Sequence, residues 1–287
     1  VGLDDAEMAR LRGAEIGFVF QEPMTALNPL QLIGAQIGET LDGDRAARVT
    51  ESLSLADLPE AFAARYPHQL SGGQRQRALI AMAIARRPRL LLADEPTTAL
   101  DAVTQREIIA LLRRLARERR IATILVTHDL GLAASVTDRV AILQAGRIVE
   151  TLETRTGFDS LKDPYSKDLL AAARFRPPVP RKPRSTRALS LRASASYAER
   201  SPFGRVRQRA SALNNVTVDI AEGETLGLVG SSGCGKSTLA RVILRLHPKS
   251  ECEIVEQPAE NAGPVQIVFQ DPGASFNPRM RVRDIVA

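Results

Sequence analysis

The strongest constraint on the fold of this chain is an internal repeat that lies near its two ends. The hexapeptide Phe-Val-Phe-Gln-Glu-Pro at 18–23 recurs as Ile-Val-Phe-Gln-Asp-Pro at 267–272. An Asn-Pro pair follows in each copy, and the glutamine and the asparagine are seven residues apart in both. A match of this length with the same internal spacing is not expected by chance. The repeat therefore predicts two homologous units, with the same element near each end of the chain.

Helix-like and strand-like segments alternate along most of the sequence. Apolar residues recur with helical spacing over 75–87 and 102–119, and a third helix is predicted to begin near Lys236. The predicted strands, which are short, apolar and rich in branched side chains, are 89–93, 121–126, 139–144, 147–152, 212–220, 224–229 and 265–269. This alternation predicts an α/β fold, with a mainly parallel sheet covered by helices on both faces and a small antiparallel region.

A glycine-rich segment at 230–237, here called the phosphate loop, fits the pattern G-x-x-x-x-G-K-[ST] between a predicted strand and a helix. Its glycines allow backbone N–H groups to close around phosphate oxygens, and the helix N-terminus adds partial positive charge. Lys236 can reach the β- and γ-phosphates, and the Ser237 hydroxyl can ligate Mg²⁺. The residues expected to bind ATP here are Gly230, Ser231, Ser232, Gly233, Cys234, Gly235, Lys236, Ser237 and Thr238.

A second candidate anion site is Leu-Ser-Gly-Gly-Gln at 70–74, here called the signature segment, which immediately precedes a helical run. Its serine, its glycines and the helix N-terminus suit a γ-phosphate. The residues that we expect to contribute are Ser71, Gly72, Gly73 and Gln74.

Two acids and a histidine follow neighbouring predicted strands. Asp94 and Glu95, here called the acid pair, end the apolar run 90–93, and His128 follows the strand 121–126. In phosphoryl-transfer enzymes the first acid at such a strand end helps to hold Mg²⁺, and the second can orient or deprotonate a water molecule. Because strand C-termini in open α/β sheets form the ligand crevice, we expect these three side chains to share one site.

Composition limits where in the cell the protein is expected to lie. No stretch approaches the roughly 18 apolar residues that a membrane helix requires, and acids at 4, 5 and 7 argue against a signal peptide. The two cysteines, Cys234 and Cys252, are too few for a disulfide framework or an all-cysteine metal site. We therefore expect a cytoplasmic chain, for which any role at a membrane must come through a partner.

A basic segment separates the two predicted units. Residues 174–209 hold eleven Lys or Arg against one acid, a net charge of +10, together with five prolines. Proline fixes φ and removes a backbone donor, so the first part of this segment is interpreted as an extended, solvated linker. A basic strip could also contact nucleic acid or anionic lipid, but no interleaved aromatic residues suggest base stacking.

Taken together, the phosphate loop, the signature segment, the acid pair and His128 resemble the motifs of ATP-binding-cassette ATPases. The resemblance covers most of the chain, and the order from 70–74 through 90–96 and 99–101 to His128 is that of the latter half of a cassette. It implies a P-loop NTPase fold with a helical signature subdomain, and ATP and Mg²⁺ as cofactors.

The resemblance also implies a role for each matching residue. Glu95 would be the catalytic base, Asp94 a Mg²⁺ ligand, Asp101 a contact across the cassette dimer and His128 a sensor of the γ-phosphate. Three further assignments, to the glutamines that link Mg²⁺ and water to the transporter interface and to an aromatic ring that stacks on adenine, fall on Gln21, Gln270 and Tyr197.

Sequences flanking both glutamines resemble the oligopeptide, dipeptide and nickel importer branch of that family, as does Asp-Pro-Tyr-Ser at 163–166. This implies a subunit that hydrolyses ATP to drive uptake of peptides or related small solutes. Its expected partners are integral-membrane permease subunits, a solute-binding protein, and a second cassette or a second copy that completes the ATP site. No nucleic-acid partner is expected.

The expected organisation is the C-terminal part of a first cassette at 1–175, a basic linker at 176–192 and the N-terminal part of a second cassette at 193–287. The simplest account is a piece of a longer tandem-cassette protein. Two arrangements stay open: the halves could combine as one permuted cassette, with Lys236 facing the acid pair, or Lys236 could face Ser71 as in a dimer. The permuted packing is favoured slightly, because unpaired edges of a parallel sheet are costly.

Two other classes of function stay open. One is a soluble cassette ATPase that acts on nucleic acid or ribosomes, although the chain has neither zinc-binding cysteines nor a long coiled-coil insertion. The other is a nucleotide-binding fragment without turnover. A comparison of ATP hydrolysis with that of a Glu95→Gln variant distinguishes an enzyme from a binder.

Overall fold

The fold was analysed in a computed structural model, which describes residues 2, 4–12, 14–98, 100–173, 187–200, 206–230, 233–246, 252–258, 265–268, 277 and 280–286. The chain separates into two compact units, Val1–Pro178 and Val179–Ala287. No helix within the described ranges combines the length and the apolar character needed to cross a lipid bilayer.

The first unit is built around a three-stranded parallel sheet. Its strands are β1 (Ile16–Val19), β2 (Leu90–Asp94) and β3 (Ala122–Val126), in the order β1-β2-β3. Val19 pairs with Ala93, and Asp94 pairs with Val126, so the strands run in register and end at one edge. The predicted strands at 89–93 and 121–126 are confirmed, and with them the α/β class.

Eight helices accompany the described part of this sheet and its antiparallel hairpin. They are α1 (Asp5–Leu11), α2 (Pro23–Ala26), α3 (Ile33–Gly38), α4 (Arg45–Leu55), α5 (Gly72–Ile84), α6 (Ala102–Glu118), α7 (Leu130–Val136) and α8 (Pro164–Ala173). The predicted helices at 75–87 and 102–119 correspond to α5 and α6. The predicted hairpin is also confirmed, as β4 (Arg139–Gln144) and β5 (Arg147–Glu153). Short 3₁₀ turns lie at Glu60–Ala64, Pro67–Gln69, Thr154–Thr156 and Phe158–Ser160.

The two faces of the parallel sheet differ in burial. On one face Val19 and Ala93 are fully buried in the main core, to which α5 contributes Ile80 and α6 contributes Leu115. On the other face Phe18 and Ile124, which flank Leu92 in register, are 40% and 51% exposed. Parallel strands are normally covered on both faces. The described part of the first unit thus carries an open apolar sheet face.

A single carboxylate connects α4, α5 and α6. Asp57, just after α4, accepts hydrogen bonds from Arg77 of α5 at 2.8 Å and from Arg114 of α6 at 2.6 Å. Arg77 also bonds Glu107 of α6 at 3.2 Å, and Arg114 bonds the Leu55 carbonyl at 3.0 Å. We call this group the Asp57 clasp. It fixes the axis of α5, and therefore of the signature segment at its start, relative to α6.

The second unit has an antiparallel sheet with strands β6 (Arg187–Arg200), β7 (Val206–Ala221) and β8 (Cys252–Pro258), in the order β7-β6-β8. Its core is formed by small and branched side chains of β6 and β7 and by Leu239 and Val242 of α9 (Lys236–Ile243). A short helix, α10, spans Val282–Val286. The predicted strand at 212–220 lies in β7, and the helix predicted near Lys236 is α9.

Two predicted strands of the second unit are wrong. Residues 224–230 and 265–268 form no strand, and Leu226, Val229 and Val268 are 47%, 95% and 97% exposed. A strand exists only when its backbone groups pair with a neighbour, and none of the described strands of this unit pairs with either segment. Most of the linker predicted at 176–192 lies outside the described residues, and β6 begins at Arg187, inside that range.

The Asp57 clasp predicts a specific dependence of stability on pH. Burial raises the pKa of Asp57, but the hydrogen bonds and charges of Arg114 and Arg77 outweigh it and leave the pKa below its ordinary value. The clasp should therefore stabilise the fold fully above pH of about 4, the pKa of an unfolded aspartate, and lose this contribution as pH falls through the lowered pKa. Asp57→Asn does not titrate. The difference in the free energy of unfolding between the wild type and Asp57→Asn, measured by urea denaturation, should shrink as the solution is acidified; a constant difference would contradict the clasp.

A second prediction concerns the close approach of β1 and α5. A Cβ atom at Gly17 would overlap the backbone carbonyl oxygen of Ala83, which cannot rotate away. Gly17→Ala should therefore destabilise the first unit by about 3 kcal/mol, the upper end of the usual cost of overpacking. Gly38→Ala is the matched control, because its Cβ would meet the Val49 side chain at 3.4 Å. Equal unfolding midpoints in denaturant for the two variants would show that β1 and α5 are not tightly packed.

Candidate functional site

Three side chains that are predicted to be functional follow the ends of the three parallel strands. Gln21 lies two residues beyond β1, Glu95 directly follows β2, and His128 lies two residues beyond β3. Because these strands are parallel and in register, their carboxyl ends meet at one edge of the sheet. The structure thus brings Gln21, Glu95 and His128 together, as the strand-end argument predicts for the acid and the histidine.

The Glu95 carboxylate is the centre of this group. Gln21 Nε2 donates to Oε2 at 3.0 Å, and His128 Nδ1 contacts Oε1 at 2.9 Å. A third partner, Thr98, was missed in the sequence: its hydroxyl donates to Oε2 at 2.9 Å. The only signal for Thr98 was its position three residues after an acid that follows a strand. We call Glu95 and these three partners the Glu95 cluster.

The backbone of Glu95 is also constrained. Its φ is +41°, in the left-handed region that non-glycine residues rarely adopt. Its N–H donates to the Val126 carbonyl at 3.0 Å, which continues the pairing of β2 with β3 by one residue. Such conformations persist where surrounding contacts fix them. The carboxylate that follows this turn contacts Gln21 beyond β1 and His128 beyond β3.

Electrostatics within the Glu95 cluster favour an ion pair. The hydrogen bond from His128, supported by those from Thr98 and Gln21, lowers the pKa of Glu95. The same bond, with the negative charge of Glu95, raises the pKa of His128. The His128 side chain is 81% exposed and that of Glu95 is 24% exposed, so the histidine can turn toward a ligand while the carboxylate stays in place.

The residues on either side of His128 accept hydrogen bonds from nearby backbone N–H groups. The Thr127 hydroxyl accepts from the Asp129 N–H at 3.0 Å. The Asp129 carboxylate accepts from the Leu132 N–H at 2.9 Å and so caps α7. These local bonds set the backbone that presents the imidazole, although the ring itself is open to solvent.

The signature segment starts α5 with a reciprocal cap. Ser71 Oγ accepts from the Gln74 N–H at 3.3 Å, and Gln74 Oε1 accepts from the Ser71 N–H at 2.9 Å. The N–H groups of Gly72 and Gly73 lie in the same first turn. The predicted anion site at this helix start is therefore built on a fixed N-terminus, with the serine hydroxyl already used as a cap.

Gly73 has a second reason to be glycine. A Cβ atom there would lie 2.5 Å from Cγ2 of Thr104 in α6. The Thr104 side chain cannot turn aside freely, because its hydroxyl donates to Asp101 Oδ2 at 2.9 Å. Asp101 also caps α6 by accepting from the N–H groups of Val103 and Thr104 at 3.1 and 3.2 Å. Asp101, the predicted contact across the cassette dimer, thus holds the Thr104 side chain against which Gly73 of α5 packs.

The phosphate loop lies in the second unit, and Ser231 and Ser232 are outside the described residues. Gly233 and Gly235 have φ of +80° and +101°, which only glycine adopts without strain. Lys236 Nζ donates to the Gly230 carbonyl at 2.6 Å and lies 3.7 Å from Cys234 Sγ. The lysine therefore closes the loop from the start of α9, where its ammonium group faces the backbone that would surround a phosphate.

Tyr197 and Thr238 contact each other in the second unit. The two hydroxyls are 3.2 Å apart, and an Arg241 nitrogen lies 3.5 Å from the tyrosine oxygen. Thr238 is 6% exposed and Tyr197 is 39% exposed. Thr238 therefore anchors α9 to β6, while part of the Tyr197 ring is accessible. Gln270, a predicted Mg²⁺ ligand, lies outside the described residues.

The predicted Mg²⁺ ligands that the structure describes are divided between the two units: Asp94 and Gln21 lie in the first and Ser237 in the second. Asp94 at the end of β2, the Gln21 amide oxygen and the Ser237 hydroxyl are oxygen donors of the kind that Mg²⁺ prefers. Among the described residues no three His, Cys, Asp or Glu side chains could together hold a metal ion. Mg²⁺ usually takes one or two carboxylates together with phosphate oxygens and water.

Comparisons with known proteins agree on one family. The family model described as ABC transporter matches residues 2–98 and 213–285. The glutathione import ATP-binding protein GsiA of Salmonella typhimurium is 38% identical over 332 residues, which cover 97% of this chain and 52% of that protein. GsiA of Escherichia coli K12 is 37% identical over 330 residues, with 98% and 53% covered.

Among solved structures, cbiO1 from Clostridium perfringens, described as part of the ABC transporter complex cbiONQ, matches with a TM-score of 0.50 and 27% identity. The match covers 55% of this chain and 64% of that one. The chain spans about half the length of the curated relatives it matches.

The packing of α5 against α6 gives a test of the role of Gly73. Gly73→Ala should lower the free energy of unfolding by about 1–3 kcal/mol, since the new methyl overlaps Thr104 Cγ2. Adding Thr104→Ser removes that methyl but keeps the hydroxyl on Asp101, so most of the loss should be recovered. Gly72→Ala is the control, because its Cβ would meet Leu100 at an ordinary 3.5 Å. Failure of the double variant to recover stability in denaturant titrations would rule out this contact as the cause.

Proposed function

Because the chain belongs to the ABC transporter family, we propose that it is part of the ATP-binding and ATP-hydrolysing subunit of an importer. The proposed reaction is hydrolysis of MgATP, and the proposed use is to drive uptake of peptides or related small solutes through membrane permeases. The importer assignment is supported by the GsiA proteins, whose name assigns them to glutathione import.

The observation that carries this proposal is the Glu95 cluster. A carboxylate with a lowered pKa stays ionised at neutral pH, and its two oxygens accept bonds from Gln21, Thr98 and His128. We propose that Glu95 orients the attacking water and accepts its proton. In the same scheme Gln21 holds the side of the carboxylate next to the cation, and His128 turns to the γ-phosphate.

The phosphate loop supplies the complementary chemistry. Its glycine backbone and the start of α9 would hold the phosphates, Lys236 would neutralise their charge, and Ser237 and Asp94 would hold Mg²⁺. When bound, that ion offsets charge on the phosphate oxygens. We further propose that Tyr197 contacts the adenine and that the signature segment closes on the γ-phosphate of a nucleotide held by another cassette.

A complete site needs a phosphate loop, an acid pair and a signature segment together. The chain carries the first in one unit and the other two in the other unit. We propose that 1–175 and 193–287 are parts of two cassettes, and that either one permuted site or a site shared with a second cassette joins these groups. The expected partners are permease subunits and a solute-binding protein, which would place the protein at the cytoplasmic face of the membrane.

Glu95→Gln tests the proposal directly. The amide keeps the size of the carboxylate but cannot accept a proton, so steady-state phosphate release should fall by at least about 100-fold, as is typical when a general base is lost. ATP binding, followed with a fluorescent ATP analogue, should persist. The control is Glu153→Gln at the exposed end of β5, for which turnover should not change. Bound ATP with equally slow turnover in the wild type and in Glu95→Gln would overturn hydrolysis by this chain and leave the nucleotide-binding alternative.

A further inference from the structure

A long groove lies on the surface of the first unit between α6 and α7. Its volume is about 700 Å³, and it follows α6 from Ala102 to Glu118, with Leu132, Ser135 and Val136 of α7 along the other side. The Glu95 cluster does not line it. The groove is therefore separate from the group of residues proposed for ATP hydrolysis.

The groove combines an apolar floor with a cationic rim. Ile109 is 6% exposed at its base, and Leu132 and Val136 pack against the main core beside it. Along α6 the rim carries Arg106, Arg113, Arg114 and Arg117, against a single acid, Glu118. A bound molecule would thus meet aliphatic carbon in the centre and positive charge along one edge.

Three of these arginines are not used within the described parts of the chain. Arg114 is committed to the Asp57 clasp, and Arg119, just beyond the groove, pairs with Glu51 at 3.6 Å. Neither a carboxylate nor a carbonyl of the described residues accepts a hydrogen bond or ion pair from Arg106, Arg113 or Arg117. All three are exposed. Their charges are therefore available to a partner.

The spacing of the three arginines suits an elongated ligand. Positions 106, 113 and 117 are seven and four residues apart, so they lie along one side of α6. At 1.5 Å per residue they span roughly 17 Å, about three helical turns. A helix lying along the groove could place acidic residues opposite all three and an apolar stripe on the floor, which is the usual arrangement for an amphipathic helix in a groove.

We propose that the groove between α6 and α7 is a docking site for an acidic amphipathic helix of a partner protein. Its apolar stripe would cover Ile109, Leu132 and Val136, and its acids would pair with Arg106, Arg113 and Arg117. A flat anionic membrane would reach the rim but not the recessed floor. Nucleic acid fits less well, because none of the described residues that line the groove carries an aromatic side chain for base stacking.

Such a partner would contact the two helices that follow the catalytic groups. α6 begins next to Asp101, seven residues beyond Asp94, and α7 begins two residues after His128. A helix that bridges α6 and α7 would therefore fix the separation of those two elements. The docking proposal does not depend on ATP hydrolysis and can be tested without it.

The test uses fluorescence anisotropy with a labelled peptide of about 14 residues, long enough at 1.5 Å per residue to reach all three arginines. The peptide is a helix with leucines on one stripe and glutamates flanking it. A scrambled peptide of the same composition lacks the stripe, and vesicles that contain anionic lipid serve as a third probe. Binding to the wild-type chain is expected only for the patterned peptide, and it should weaken as ionic strength rises.

The variant is Arg106→Glu/Arg113→Glu/Arg117→Glu, and the charge-matched control is Arg139→Glu/Arg147→Glu/Arg155→Glu, which changes three exposed arginines outside the groove. The groove variant should lose at least about tenfold in affinity and the control less than about twofold, as expected when specific charge pairs are reversed. If the charge-reversed chain fails to fold, the three Arg→Gln changes replace it. Equal losses in both variants, equal binding of the scrambled peptide, or groove-dependent binding of vesicles alone would each overturn the proposal.

Discussion

The hydrogen bonds that converge on the Glu95 carboxylate depend on one constraint, the parallel in-register pairing of β1, β2 and β3. Because the three strands end at the same edge, side chains from residues 21, 95 and 128 become neighbours although the chain between them is long. A change of register in any strand would move its functional residue by one side-chain position and to the other face. The relative positions of these predicted functional residues are therefore set by the pairing of the strands.

Close packing of the helices extends this fixed geometry from the strand ends to the rest of the first unit. Gly17 lets β1 approach α5, Gly73 lets α5 approach α6, and the Asp57 clasp joins α5 to α6. The signature segment and Asp101 both stand at helix starts within this packing. Small residues and one carboxylate thus fix the start of α5, a predicted anion site, relative to the start of α6, which carries the predicted dimer contact Asp101.

Much of the first unit could be predicted from sequence because its signals are local. Periodicity located α5, α6, β2 and β3, and the strand-end rule brought Glu95 and His128 together. Thr98, the Gly73–Thr104 contact and the Asp57 clasp were not predictable, since they join residues whose proximity depends on tertiary packing. The segments 224–229 and 265–268 show the converse: strand-like composition does not make a strand unless another backbone pairs with it.

The exposed apolar face of the parallel sheet, in the part of the first unit that the structure describes, affects how the polypeptide interacts with other proteins in the cell. Phe18 and Phe20 have ring centroids 4.5 Å apart and are 40% and 52% exposed, and Ile124 and Val126 extend the same apolar surface. Surfaces of this kind are recognised by chaperones and attract other unpaired chains. Another apolar surface that covered this face would therefore protect the first unit from such contacts, and this protection would depend on the rate of assembly as well as on thermodynamic stability.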